Sequence, residues 1–475
     1  MSLKKNVIYS GILTTSLYIF QFITYPYVAR VLGVTNIGIC NFVQSLVQYF
    51  VLFAALGTVS LGVREIAKCN GDKERLSKTF SSIIVLNMVT TFVVLLIYLG
   101  AMFLVPQLQQ YRSLLYVGAL QLVSSVFTIE WLFRGLEDFK FITYRNLAIR
   151  AFYVVCVFLF VRTREDYATY FALTAGLYIS NAIINLFYSR HFVQFQWQSV
   201  KSCISEYLKP MSLLGIQNIL LTMYTSFNVV YLGFVAGDTQ VGYYTTATKI
   251  QNIILAMFSA FTLVMMPRIS SLVASKDYEQ IKYLINQSLS VLYAFALPVI
   301  IVVIALSPNI IQLIAGTEYG ESINLLRIAI PLILVIGMEQ VLITQLLIPT
   351  GNDKASFNSY LFGAIVGIVL NLAIVPSLES LGSIIVWAAS ELTVMCVAFH
   401  YVNRQMKYTK EMLSITGRYL VVFVPLGIVA FFLRSYPIAV LAITAVYCHV
   451  SLYYVVDNVI YVSMIKNIKN KIIFK

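Results

Sequence analysis

The chain has 475 residues, of which 59% are apolar and only 11% charged, and its formal net charge is +13. Soluble domains carry roughly 25% charged residues, so this composition excludes a water-soluble globule and predicts a protein whose main solvent is lipid. The basic balance does not indicate a nucleic-acid partner, because no arginine-rich face with interleaved aromatic residues accompanies it.

Apolar stretches recur along the whole chain. A membrane-spanning helix needs about 20 mostly apolar residues, and the first such stretch is too long for a cleaved signal peptide. Fourteen stretches qualify, namely 7–29, 37–62, 79–104, 113–133, 143–161, 167–188, 211–235, 241–266, 283–306, 323–349, 355–376, 381–402, 417–434 and 437–458. The sequence therefore predicts an all-α polytopic membrane protein with about 14 transmembrane helices.

Lysine and arginine are distributed unevenly between the successive loops. If the N-terminus lies inside, the inside segments hold 25 of the 33 basic residues and the outside segments hold five. Cytoplasmic loops of membrane proteins collect basic residues. The distribution therefore predicts an even number of spans, with both termini in the cytoplasm.

A short glycine–threonine motif occurs twice, 204 residues apart, as Gly33–Gly38 (sequence GVTNIG) and Gly237–Gly242 (sequence GDTQVG). Glycine favours a helix end and threonine a helix start, so each copy predicts a tight external turn. Both copies follow an odd-numbered span, which indicates two parallel six-helix lobes, 1–200 and 201–410, followed by two additional helices and a basic tail in 411–475. Chance agreement between two apolar hairpins is the alternative.

Four further motifs resemble a known family. They are the turn Tyr25–Gly33, the segment Glu130–Phe139, Met266–Ile269 and Leu347–Gly351. The chain resembles the polysaccharide transporter (Wzx-type O-antigen flippase) family of the multidrug/oligosaccharidyl-lipid/polysaccharide exporter superfamily over essentially its whole length. The resemblance implies two six-helix lobes around a central cavity.

The resemblance also implies a function. The expected cargo is an oligosaccharide on undecaprenyl diphosphate, flipped across the bacterial cytoplasmic membrane by alternating access for surface polysaccharide synthesis. Expected partners are membrane lipids and a glycosyltransferase or polymerase of the same pathway. Two alternatives share the fold, a peptidoglycan lipid-precursor flippase and a cation-coupled exporter of small amphipathic molecules. An enzyme is disfavoured, because the sequence contains no phosphate-binding GxxxxGK[ST] loop and no supported nucleophile–base pair.

Basic residues in or beside the spans are the candidates for binding the cargo. A buried charge costs about 2.5–3.5 kcal/mol on membrane insertion, and arginine matches phosphate oxygens well. The candidate cavity cations are Lys249, Arg150, Arg30, Arg64 and Arg268. For Lys249 the alternative is snorkelling to the interface, and for Arg30, Arg64 and Arg268 it is ordinary interfacial anchoring. For Arg150 the alternative is a position near the interface, because the neighbouring Arg145 indicates a helix that starts late.

Two carboxylates, Glu339 and Glu391, fall near the middles of the tenth and twelfth predicted spans. Intramembrane carboxylates commonly carry a coupling proton or Na⁺, so both are candidates for ion coupling, and a purely structural pair is the alternative. Glu130 is expected to pair with Arg134 four residues later. No other cofactor is expected, and the isolated histidines and cysteines have no metal-ligand spacing.

Overall fold

A computed structural model describes residues 3–69, 71–196, 207–208, 210–212, 215, 227–406 and 409–456 of the chain. Long apolar runs without internal polar breaks form helices, because the helix satisfies its own backbone hydrogen bonds. In chain order these helices are α1 (Leu3–Ala55), α2 (Thr58–Ala67), α3 (Lys73–Leu104), α4 (Arg112–Ser125), α5 (Glu130–Gly135), α6 (Phe139–Phe160), α7 (Tyr167–Ser189), α8 (Phe227–Ala236), α9 (Asp238–Ala274), α10 (Tyr278–Ile314), α11 (Ser322–Ala329), α12 (Leu332–Glu339), α13 (Asp353–Met406), α14 (Thr409–Phe432) and α15 (Pro437–Val450).

Ten helical segments in the described residues are long and apolar enough to cross a membrane. Two of them, α1 and α13, have 53 and 54 residues, or about 80 Å at 1.5 Å per residue, against a hydrocarbon core of about 30 Å. Backbone breaks at Gly33 (φ 75°) and Glu379 (φ 50°) divide them, so each accounts for two predicted spans. The prediction of an all-α polytopic membrane protein is confirmed. Within the seventh predicted span, residues 213–214 and 216–226 lie outside the described residues.

The chain divides into two compact units, 1–245 with 375–380 and 246–374 with 381–475. In the first unit, α1 packs against α3, α4 and α6, and α4 packs against α7. In the second unit, α10 is central and packs against α11, α12, α14 and α15. The predicted lobe boundaries after residues 200 and 410 stay predictions.

The segment Glu130–Phe139 forms a tight corner in the first unit. Short helix α5 ends before Glu137, which has a left-handed backbone (φ 57°). Asp138 then caps α6, accepting a hydrogen bond from the Phe141 amide at 3.2 Å, and it also accepts one from the Tyr188 hydroxyl at 3.0 Å. The Asp138 cap and the hydrogen bond from the Tyr188 hydroxyl together fix where α6 begins.

Within the first unit, the two copies of the glycine–threonine motif lie against each other. The hydroxyls of Thr35 and Thr239 hydrogen bond to each other at 2.9 Å, and the side-chain amide of Asn41 donates to Thr245 Oγ1 at 2.8 Å. Both pairs are separated by the repeat offset of 204 residues. Each copy therefore meets its own counterpart, and the threonines bond across the contact rather than capping their helices as expected.

Glycines allow this close approach. A Cβ atom on Gly38 would lie 1.7 Å from the carbonyl oxygen of Asp238, and one on Gly242 would lie 2.2 Å from the carbonyl oxygen of Val34. These carbonyls also occupy equivalent positions in the two copies. The second glycine of each motif is therefore required because another backbone occupies the space of its side chain.

Candidate functional site

A buried arginine lies at the centre of a polar cluster in the first unit. Arg145, on the first turns of α6, is 5% exposed. Its guanidinium donates to Glu130 Oε2 at 2.8 Å and to the side-chain oxygen of Asn185 on α7. Glu130 also accepts from Arg134 Nη2 at 2.6 Å, which confirms the predicted pair. One carboxylate thus balances two arginines.

Arg145 is not among the candidate cations predicted from the sequence. It is counted with the basic residues of an inside loop, although the fifth predicted span begins at residue 143. In the structure α6 begins at Phe139, because Asp138 caps it, and Arg145 lies almost two turns inside. The usable signal was the aspartate directly before an apolar run, which marks a helix start.

The candidate cation Arg150 lies five residues further along α6 and is half-buried. Tyr153 and Tyr178 are close enough to act on its charge. Its Nε atom is buried, and within the described part of the chain it has no hydrogen-bond partner. This donor is available for a ligand, but no contact shows that Arg150 binds cargo, so that role stays a prediction.

The other four candidate cations differ in exposure. Lys249 is half-buried on α9, eleven residues after that helix begins at Asp238. Arg30, Arg64 and Arg268 are exposed, and Arg64 pairs with Glu65 at 2.9 Å. Exposure at a helix end is equally expected of an interfacial anchor. The cavity assignment of these four residues also stays a prediction.

The structure brings the two candidate coupling carboxylates together in the second unit. Glu339 ends α12 and Glu391 lies on α13, with exposures of 5% and 3%. Their carboxyl groups lie close enough to interact, and the Tyr360 hydroxyl interacts with Glu339. The indole Nε1 of Trp387 donates to Glu391 Oε1 at 2.8 Å. Two carboxyl groups separated by 52 residues in sequence thus form one polar site.

A π-helical segment follows Glu339 directly. Residues Gln340–Leu347 adopt this wider helix, which is rare and occurs often at functional sites. Two of its side chains bond to α9, Gln340 to Ser259 at 2.9 Å and Gln345 to Thr262 at 3.3 Å. The carboxyl pair is therefore linked by a short polar route to the helix that carries Lys249.

No three histidine, cysteine, aspartate or glutamate side chains are grouped closely enough to hold a metal ion in the ranges that the structure describes.

Comparison with known sequences identifies relatives over most of the chain. The profile of the family described as "Polysaccharide biosynthesis protein" matches residues 3–273, more than half of the chain, and the MatE profile matches residues 214–373. The chain is 25% identical over 410 residues to the "Putative O-antigen transporter" of Escherichia coli (strain K12), covering 85% of this chain and 97% of that protein. A protein of the same name from Shigella dysenteriae is 25% identical over 399 residues, covering 83% and 98%.

Solved structures share the fold. A structure titled "Lipid II flippase MurJ, inward closed conformation" superimposes with a TM-score of 0.76 at 14% identity, covering 94% of this chain and 99% of that one. An outward-facing multidrug resistance MATE family transporter of the MOP superfamily gives a TM-score of 0.57 at 15% identity, covering 86% and 96%. At these identities the likeness shows the fold alone. The chain has the fold of the MOP-superfamily transporters and, by its family match, belongs to the polysaccharide biosynthesis protein family.

Proposed function

We propose that the protein flips an undecaprenyl-diphosphate-linked oligosaccharide from the cytoplasmic to the external leaflet of a bacterial cytoplasmic membrane. The observation that carries this proposal is the near full-length similarity to two proteins named as O-antigen transporters, together with the family match. The same findings favour a transporter over an enzyme. The excess of basic residues in alternate loops supports cytoplasmic termini.

The cargo makes two physical demands. Its diphosphate and sugars must avoid hydrocarbon, which a polar cavity with cationic groups provides, and its lipid tail can remain in the bilayer. Arg150, with an unbonded buried Nε, and half-buried Lys249 are the candidates that suit the diphosphate best. Arg30, Arg64 and Arg268 are exposed and suit the entrances to the pathway.

Alternating access requires one side of the pathway to be closed at a time. In the proposed orientation, the turns that begin at Gly33 and Gly237 are external. Their mutual contact through Thr35 and Thr239 would then help to close the external side, and separating the two turns would be part of opening to the outside. Thr35→Cys with Thr239→Cys should form a disulfide that blocks flipping and is reversed by reduction.

The decisive experiment is reconstitution. Purified protein is placed in liposomes that hold a polyprenyl-diphosphate oligosaccharide in one leaflet, and an impermeant sugar-modifying reagent reports its appearance in the other. Exposure that rises only with protein present supports the proposal. Failure of several matched oligosaccharides to move, while amphipathic cations do, would instead favour an exporter, the function suggested by the MatE match.

The cation assignment has its own test. Arg150→Ala combined with Lys249→Ala should abolish flipping while the protein still inserts and purifies. The matched control is Arg190→Ala with Lys354→Ala, two exposed basic residues that should leave flipping unchanged. Normal flipping by the first double variant would refute the assignment. A peptidoglycan precursor that moves faster than any surface-polysaccharide oligosaccharide would favour the lipid-precursor alternative, which shares the fold of MurJ.

A further inference from the structure

The Glu339–Glu391 pair presents a problem of charge. Both carboxyls are almost fully buried and lie close enough to interact with each other. Two ionised carboxylates in contact repel strongly in a medium of low dielectric constant, and a buried charge is normally paired with one of opposite sign. The groups bonded to this pair, the Tyr360 hydroxyl and the Trp387 indole, are neutral donors. They solvate a single negative charge but do not neutralise a second one.

Two oxygen atoms of the carboxyl pair also lack hydrogen-bond donors. In the described residues, no donor group reaches Oε2 of Glu339 or Oε2 of Glu391, although both atoms are buried. A hydrogen bond between two carboxyl groups needs a proton on one of them. A pair of touching carboxylates in a protein commonly shares one proton for this reason.

We propose that Glu339 and Glu391 hold one shared proton, and that uptake and release of this proton couples a proton gradient to cargo movement. The shared proton concerns the site alone. The coupling to cargo movement rests on the proposed flippase function.

The geometry favours a proton over a metal cation. A hard cation such as Na⁺ needs several oxygen ligands around it. Here the Trp387 N–H points at Glu391 Oε1, so that oxygen faces a hydrogen atom, and the further oxygen that bonds to the pair is the Tyr360 hydroxyl. The two neutral donors are enough for one negative charge on the pair, and a cation could use all four carboxyl oxygens only by displacing the indole hydrogen from Glu391 Oε1.

The elements around the pair contribute few titratable groups. Tyr360, from the first half of α13, is the titratable group that bonds to it. Tyr293 of α10 directs its hydroxyl to Met338 and Thr416 instead. From α9 the neighbours of the adjoining π segment are uncharged hydroxyls. The occupancy of the shared proton therefore sets the net charge of this site.

Loss of the proton would act on the neighbouring helix. Glu339 is the last residue before the π-helical segment Gln340–Leu347, so a second negative charge appears at the start of an irregular helical region. Repulsion between the carboxylates favours moving α12 away from α13. Because Gln340 and Gln345 bond to α9, the movement would be transmitted to the helix that carries Lys249.

The site can be tested without any cargo. Infrared difference spectroscopy of the purified full chain in lipid nanodiscs reports the C=O stretch of protonated carboxyl groups. We expect such a band at neutral pH in the wild type, and its loss in the double variant Glu339→Gln, Glu391→Gln. Glu65→Gln, which alters a carboxylate outside the spans, is the matched control and should leave the band unchanged. Absence of the band in the wild type, or its persistence in the double variant, would overturn the proposal.

A more conservative variant than the double substitution keeps the proposal testable if the double variant misfolds. Trp387→Phe keeps both carboxyls and removes only the indole donor to Glu391 Oε1. The band should persist but shift in frequency, because the hydrogen bond that polarises the carboxyl is lost. An unshifted band would place the protonated carboxyl elsewhere and overturn the assignment.

Coupling is tested in liposomes that flip the polyprenyl-diphosphate oligosaccharide. With one proton per cycle, a one-unit pH gradient should change the steady-state distribution of cargo between leaflets about tenfold. The Glu339→Gln, Glu391→Gln variant should still equilibrate cargo but lose this response, and an equal response in wild type and variant would refute the coupling. If no cargo moves under any gradient while the infrared band behaves as expected, the proposed flippase function fails and the proton site stands.

Discussion

Buried charge is handled in opposite ways in the two units. In the first unit, Glu130 is balanced by Arg134 and Arg145, and Asn185 completes the bonding. In the second unit, Glu339 meets another carboxyl group, with neutral donors around it. Opposite charges neutralise each other permanently, whereas like charges need an exchangeable proton. The first cluster is therefore suited to stabilising the fold, and the second to changing its protonation state.

The largest expected effect is in the first cluster. Arg145→Met should lower the free energy of unfolding by about 3 kcal/mol, because it leaves the buried side-chain oxygen of Asn185 without a donor and leaves half-buried Glu130 with Arg134 alone. Unfolding in mixed detergent–SDS micelles measures this. The control is Arg134→Ala, whose side chain is 46% exposed and should cost less than about 1 kcal/mol. Equal losses would mean that burial does not distinguish the two arginines.

The neutral member of the cluster should show a smaller effect than its charged members. Asn185→Leu removes the oxygen that accepts from Arg145 and the amide that donates to the Thr128 carbonyl, so a loss of about 2 kcal/mol is expected. Asn181→Leu, on the same helix but bonded only to the Leu177 carbonyl, is the control and should cost under about 1 kcal/mol. The same unfolding assay applies. A larger loss for Asn181→Leu would contradict the importance of the cluster.

A single isosteric change in each unit tests the comparison directly. Glu339→Gln replaces one carboxyl of a like-charged pair by a neutral group and should change stability by less than about 1 kcal/mol, whereas Glu130→Gln leaves Arg145 without a full charge partner and should cost about 3 kcal/mol. Both are measured by the midpoint of unfolding at neutral pH. If Glu339→Gln and Glu130→Gln lower the stability equally, removing one carboxylate does not relieve repulsion in the Glu339–Glu391 pair.

The smallest effect is expected at half-buried Glu65, whose partners Arg64 and Lys68 are exposed. Burial raises the pKa of Glu65, but hydrogen bonds from Lys68 and Arg64 outweigh it and hold that pKa below its ordinary value. A lowered folded-state pKa stabilises the protein above the ordinary value and loses this contribution as the pH falls through the folded value. Glu65→Gln should therefore cost less than about 1 kcal/mol at neutral pH, and unfolding below about pH 4 should show a smaller difference. A difference that grows on acidification would contradict the assigned sign.

Local patterns predicted much of the fold. Apolar stretches located helices throughout the chain, and the i, i+4 spacing of Glu130 and Arg134 was sufficient to predict their pair. The repeat predicted the turns that begin at Gly33 and Gly237. It did not predict that the two turns touch, because spacing within one segment carries no information about which other segment packs against it.

The candidate site was less predictable for the same reason. Glu339 and Glu391 are each unusual in the sequence, yet only the structure shows that their carboxyl groups meet. Arg145 is not among the predicted candidates, because a basic residue close to the start of a span is ordinarily an interfacial anchor. No sequence pattern marks the π-helical segment Gln340–Leu347. Lys249 lies on α9, within the eighth predicted span, and its contact with cargo stays a prediction.

The contact between the two motif turns is isologous, since Gly38 meets the backbone of Asp238 while Gly242 meets that of Val34. If the two copies arose from one ancestral segment, a single mutation at its second glycine would have placed a side chain on both sides of the contact at once. Both second glycines are present here, whereas Val34 and Asp238 differ completely in their side chains. The contact therefore constrains the two glycines as a pair and leaves the side chains of their backbone partners free to differ.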